Sequence, residues 1–191
     1  MKKLSFAQQE IMNLEQYYEN TSINNISGII YLKNQFDYSD INKALNALVK
    51  NNESYRINIV KKEGEYRQII KKYEYSEYNF IDFYKLEAEY KKWIDEEANK
   101  NIFNVEQDLY NFNILRFPNG EYGAFLQQHH LISDGWSMTI VINFLKNELL
   151  NIGNNKENFS YIDSIEAELL YENSNRIKND EKYWDLSLIH I

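Results

Sequence analysis

Residues 128–137, Gln-His-His-Leu-Ile-Ser-Asp-Gly-Trp-Ser, concentrate the chemistry available to this chain. Two of its three histidines, His129 and His130, are adjacent there, and the third is His190. A neutral imidazole near physiological pH can take a proton from a nucleophile, so His130 is a candidate general base. The same residues admit other readings. Both histidines could be structural, satisfied by hydrogen bonds. His130 and Asp134, at i and i+4, could belong to a metal site, but a closed zinc site needs four ligands and few candidates remain. Ser133 or Ser137 could be a nucleophile, yet no GxSxG elbow surrounds either. Asp134 could orient the base as a triad acid does, or pair with a buried arginine and hold the loop's shape. Gly135 would allow a tight turn or the close approach of a ligand.

These residues need rigid neighbours. The pattern places them at the end of a strand, through a short loop, into a helix, where a loop is fixed from both sides. Successive strand residues point to opposite faces, so one histidine should face a cleft and the other the core. A helix is predicted over 5–18, with Ser5 as N-cap and Gln8 completing a capping box. A strand follows over 25–33, then a helix over 40–51 capped by Ser39 or Asp40, with Ile41, Ala44, Leu45 and Leu48 on one face. Alternating runs around Glu63-Gly64 predict a hairpin, and 86–100 an amphipathic helix through Leu86, Tyr90, Trp93 and Ile94. The turn Pro118-Asn119-Gly120 predicts a second hairpin, whose last strand runs into His129-His130. Residues 136–151 read as a helix with Trp136, Ile140, Phe144 and Leu145 at helical spacing, closed by Gly153. Residues 160–185 read as less regular helix. The order predicts an α+β fold, a largely antiparallel sheet with helices packed on it.

Composition narrows the function. The net charge is −8, and the pairs Lys61-Lys62, Lys71-Lys72 and Lys91-Lys92 are interleaved with acids, which argues against nucleic acid as a partner. With no cysteine, disulfides, thiolate zinc sites and a cysteine nucleophile are excluded. No signal peptide is read in residues 1–20, and no apolar run approaches the ~20 residues of a membrane span. A cytoplasmic protein without membrane association is the expectation.

His129-His130-Leu131-Ile132-Ser133-Asp134-Gly135 resembles the HHxxxDG motif of condensation domains from nonribosomal peptide synthetases, a motif shared with chloramphenicol acetyltransferase and related acyltransferases. Trp136-Ser137 extends the likeness. Ser5-Phe6-Ala7-Gln8 resembles the family's SxAQ opening, with Glu10 where an arginine usually follows. Asn52-Glu53-Ser54-Tyr55-Arg56 stands where the family has HExLR, matching at Glu53 and Arg56. Tyr161-Ile162-Asp163 resembles the start of YxDxAxW, and Tyr183-Trp184 the YW pair beyond it. Over 50 residues follow the histidine motif, unlike the shorter acetyltransferases, whose motif lies near the C-terminus.

The resemblance implies a chloramphenicol-acetyltransferase-like two-layer sandwich, with residues 1–191 as the N-terminal lobe of a domain whose C-terminal lobe is absent. It implies amide-bond formation between substrates on the phosphopantetheine arms of partner carrier proteins, with no cofactor or metal bound by the domain itself and the fragment alone inactive. On this reading His130 stands next to the attacking amine as base or positioning group. The Gly135 amide, at a helix start, would face the developing negative charge. Asp134 would pair with Arg56, His129 would be structural, and Ser133, Trp136 and Ser137 would line the substrate channel. The alternatives are a coenzyme-A-dependent O- or N-acyltransferase of the same superfamily and a non-catalytic lobe that docks carrier proteins.

Overall fold

Short-range rules set the first helix. Ser5 caps α1 (Phe6–Tyr17), its hydroxyl accepting from the Gln8 amide while the Gln8 side chain accepts from the Ser5 amide. The computed structural model describes residues 1–33, 35–104, 106–153 and 160–188. After α1 come β1 (Asn25–Tyr31), α2 (Tyr38–Asn51), a 3-10 turn (Glu53–Arg56), β2 (Ile57–Lys62), β3 (Glu65–Ile70), β4 (Asn79–Asp82), α3 (Glu87–Ala98), β5 (Tyr110–Arg116), β6 (Tyr122–His129) and α4 (Gly135–Leu149). These belong to one unit, Met1–Lys156. A second unit, Glu157–Ile191, contains α5 (Tyr161–Glu172) and α6 (Asn175–Leu188). His190 lies outside the described residues.

The main sheet has the order β1-β6-β5-β4. β6 pairs antiparallel with β1 and β5, and β4 runs parallel to β5. The fold is therefore α+β with an antiparallel-dominated sheet. β6 is buried along nearly its whole length, as a strand covered on both faces must be. On one face Phe125 packs with Leu115, Phe117 and Phe83, against Trp93 and Ile94 of α3. On the other, Tyr55 meets Phe112 edge-on, and Met138 of α4 comes up to Gly28. The β2–β3 hairpin forms a separate two-stranded sheet. Its two-residue loop, Glu63 and Gly64, has positive φ at both positions, matching the twist of the flanking strands.

Several local expectations are corrected. α2 begins earlier than the pattern suggests because Asp37 is the cap and Asp40 the reciprocal partner. β4 escapes a periodicity reading: it is four residues long and pairs with a strand more than thirty residues away. α4 ends at Leu149, and Asn151 rather than Gly153 takes the first left-handed position after it (φ 54°). The buried side of α4 is Val141 and Leu145, whereas Trp136 and Ile140 are exposed. The helical reading of residues 160–185 holds, with the segment divided into two helices.

Gly123 marks the tightest packing of the sheet. A Cβ there would stand 2.1 Å from the Ile30 carbonyl oxygen and 2.6 Å from the Phe117 ring. Gly123→Ala is expected to destabilise the chain by ~3 kcal/mol or more, since backbone on one side and a buried ring on the other cannot both yield. Urea unfolding measures this, and a loss under ~1 kcal/mol would show that the sheet opens there.

Candidate active site

The two histidines part at the end of β6. His129, the last strand residue, is fully buried, and His130 is exposed in the turn that follows. The turn is held by backbone bonds: His129 N–H to the Leu109 carbonyl (2.9 Å), His130 N–H to the Asn24 carbonyl (2.8 Å) and Ile132 N–H to the His129 carbonyl (3.0 Å). The His130 imidazole makes no hydrogen bond or ion pair with the described residues.

His129 is bonded at both nitrogens. Its Nδ1 accepts from the Leu131 amide (3.2 Å), and its Nε2 lies 2.8 Å from Oε1 of the buried Glu15. A ring that accepts at Nδ1 is neutral and carries its proton on Nε2, so it donates to Glu15. Burial favours this neutral form and holds the His129 pKa below the ordinary 6.5, against the upward pull of the Glu15 carboxylate.

Asp134 is the N-cap of α4. Its Oδ1 accepts from the Ser137 amide (2.7 Å) and the Ser137 hydroxyl (2.6 Å). The Ser137 hydroxyl bond, then the Ser137 amide bond, lower its pKa from the ordinary value. The expected Arg56–Asp134 pair does not form. The Arg56 guanidinium donates to the carbonyls of Val49 (2.9 Å) and Lys50, at the end of α2. Helix ends leave carbonyls without internal partners, and Arg56, six residues beyond Lys50, meets that local need, while Asp134 meets the matching need at the start of its own helix.

The other singled-out residues divide. Ser133 is buried, and its hydroxyl has no partner among the described residues. Trp136 is 75% exposed. The Ser137 hydroxyl donates to Asp134 and keeps its acceptor capacity. Gly135 has an ordinary φ, and a Cβ added there would meet nothing within 4 Å. No turn therefore demands glycine, and a side chain there would point into open space. The Trp136 and Ser137 amides turn toward the Asp134 carboxylate, while that of Gly135 has no partner among the described residues. Among the described residues no group of three or more His, Cys, Asp or Glu side chains could hold a metal ion. No described helix is long and apolar enough to cross a membrane.

Other residues that hold the loop were not singled out for it. The Gln8 side chain donates to the Leu131 carbonyl (3.0 Å) and pairs with the buried amide of Gln68. The Tyr55 hydroxyl donates to Gln128 (2.7 Å), and burial drives its phenol far above the ordinary pKa. Glu15 had a legible signal: with Gln8 and Met12 it falls at i, i+4 and i+7, one stripe of α1, and all three are buried. A polar residue on a buried stripe needs a partner.

This sheet, with a strand ending in paired histidines before a capped helix, has close counterparts among solved structures. The starter condensation domain of the rhizomide synthetase RzmA superposes with a TM-score of 0.84 at 19% identity, over 96% of this chain and 46% of that one. The first condensation domain of the CDA synthetase gives 0.77 at 18% identity, over 96% and 49%. The fold is thus that of a lobe of the chloramphenicol-acetyltransferase-like class. The condensation domain family model matches residues 1–190, and the chain belongs to that family. Surfactin synthase subunit 1 of Bacillus subtilis (strain 168) is 27% identical over 198 residues, 95% of this chain and 5% of that protein. Bacitracin synthase 1 of Bacillus licheniformis is 29% identical over 188 residues, 95% of this chain and 3% of that protein. The chain thus spans a small part of these synthases and about half of the solved condensation-domain chains. In this family the acyl groups ride on phosphopantetheine arms of carrier domains.

Two outcomes follow from the geometry. Asp134→Ala should cost ~0.5–2 kcal/mol, the usual loss of an N-cap. In a double-mutant cycle with Arg56→Ala the coupling should stay within ~0.5 kcal/mol, and a coupling of several kcal/mol would restore the ion pair. His129 adds a pH dependence. Below pH 6.5 the unfolded chain protonates it and the folded chain does not, so stability falls as pH drops, by up to ~1.4 kcal/mol per unit. His129→Gln should remove that part of the slope, and an unchanged slope between pH 5 and 7 would mean the buried ring is already charged.

Proposed function

We propose that this chain is the N-terminal lobe of a condensation domain that forms amide bonds, with His130 as the residue at the reacting amine. One observation carries the reading: of the adjacent histidines, one is consumed by structure and the other, five residues before the start of α4, presents an exposed imidazole with no hydrogen bond or ion pair to the described residues. The amine nitrogen of the acceptor attacks the thioester carbonyl of the donor. His130 orients that amine and takes its proton as the carbon–nitrogen bond forms. The Gly135 amide donates to the oxyanion. The carbon–sulfur bond then breaks, and the departing thiolate of the donor's pantetheine arm receives the proton from His130. Asp134 is no triad acid here, because its carboxylate is turned to Ser137. It also offsets the positive end of the helix dipole, so the oxyanion gains mainly from the amide itself. Trp136 and Ser133 border the channel. Both substrates arrive on carrier proteins, and the exposure of His130 leaves room for a second lobe to enclose it.

A second reading concerns the donor. Solved starter condensation domains of RzmA include complexes with C8-CoA, and their fold matches this chain with a TM-score of 0.83. A starter role here would take a fatty acyl thioester rather than an aminoacyl or peptidyl one.

Joined to its second lobe and supplied with loaded carriers, the wild type should form the amide product. His130→Ala should lower kcat by ~10²–10⁴-fold with stability unchanged. Gly135→Ala should leave stability unchanged and still lower kcat, because its methyl group occupies the space before the amide. Product with acyl-coenzyme A alone selects the starter role. Wild-type rates in both variants would refute the assignment.

A further inference from the structure

We infer that Glu15, on α1, is the positioning residue for His130, acting through His129 and Asn24 rather than by contact with substrate. Its role in catalysis rests on the reading of His130 as the reacting imidazole, but the geometry is independent of that reading. One oxygen, Glu15 Oε1, gathers two donors. It accepts from Asn24 Nδ2 at 2.8 Å and from His129 Nε2 at 2.8 Å. Each donor residue then grips the backbone at His130. The Asn24 carbonyl takes the His130 N–H, and Nδ1 of His129 takes the N–H of Leu131. The two amides that bracket the His130 side chain are thus both held by groups that converge on one carboxylate oxygen.

The identity of residue 15 matters because the arrangement depends on an acceptor. Oε1 faces two N–H groups, and a carboxylate accepts at either oxygen, whereas a glutamine keeps both bonds only with its one oxygen turned to them. If its NH₂ turns to His129, two donors meet, and the ring relieves this by moving its proton to Nδ1. That tautomer can no longer accept from Leu131, and the turn loses its grip on the far side of His130. A carboxylate on one helix therefore selects the tautomer of one histidine and, through it, the backbone that aims the next. The shells around metal-bound histidines follow the same logic, here without a metal.

The test uses the 191-residue chain labelled with ¹⁵N in its imidazoles. Two-bond proton–nitrogen spectra report the tautomer of His129, and hydrogen exchange reports the amides of His130 and Leu131. In the wild type His129 should show its proton on Nε2. In Glu15→Leu, which leaves no acceptor, the His130 and Leu131 amides should exchange at least tenfold faster with the circular dichroism spectrum preserved, and Glu15→Gln, whose oxygen can still accept from both donors, should keep exchange slow. A His129 proton on Nδ1 in the wild type, or unchanged exchange at His130 and Leu131 in Glu15→Leu, overturns the inference. If Glu15→Leu does not fold, Asn24→Ala decides. It should speed exchange at His130 and leave the His129 tautomer in place, and unchanged exchange at His130 overturns the inference. In the two-lobe domain, Glu15→Leu should lower kcat and leave KM for both carriers unaltered, and a KM effect alone would count against positioning. A wild type that forms no amide would defeat the functional reading, while the spectra would still decide the role of Glu15.

Discussion

A polar side chain sealed inside a protein without a partner costs ~1–3 kcal/mol, and β6 ends with three sealed in succession. Gln127, Gln128 and His129 are all fully buried. Because strand residues alternate, their demands are met on opposite faces and by different elements. Gln127 donates to the carbonyls of Glu97, Ala98 and Lys100, at the end of α3. Gln128 accepts from Tyr55 in the 3-10 turn and donates to Met138 of α4. His129 reaches Glu15 of α1. The strand that delivers His130 is therefore tied to four helical segments by its own last residues. Apolar side chains in the same places could fill the volume but would not specify which helix end meets which strand position.

The same economy explains the loop beyond the strand. Helix ends leave amides and carbonyls without partners, and the charged residues of the motif regions answer those needs. Asp134 serves the start of α4 and Arg56 the end of α2. Each is charged, near the site and engaged in local structure, so neither has to act on a substrate to matter. The polar chain on the α3 face follows suit: Asn79 donates to Asn113, Asn113 to Asn111, and Asn111 to Glu97. These side chains link β4, β5 and α3 where an aliphatic core would be expected.

Much of this was legible in the sequence because it is local. The Ser5 capping box, the Glu63-Gly64 turn and the Asn119-Gly120 turn are each settled within four residues, where steric rules act strongly. The buried face of α2 follows from spacing alone. What escaped depends on distance along the chain. β4 exists because β5 is there to pair with it. Arg56 and Asp134 looked like natural partners by charge, but no spacing in a sequence tells whether a charge will meet its opposite or a nearby helix end. Trp136 and Ile140 show a further limit. Helical spacing identifies a stripe of apolar residues, but which stripe is covered depends on what packs there. Glu15 shares one stripe of α1 with Gln8 and Met12, but its meaning needed His129 in three dimensions.

The fastening of His130 by main-chain atoms alone has an evolutionary side. Because its imidazole supports nothing around it, a mutation there leaves the surrounding bonds intact. Shape and the identity of residue 130 can therefore be inherited separately in this chain. A lineage can lose the exposed imidazole in a single step while purifying selection on folding continues to preserve Glu15, Asn24 and His129. Active and silenced copies would then share one architecture and differ at one side chain.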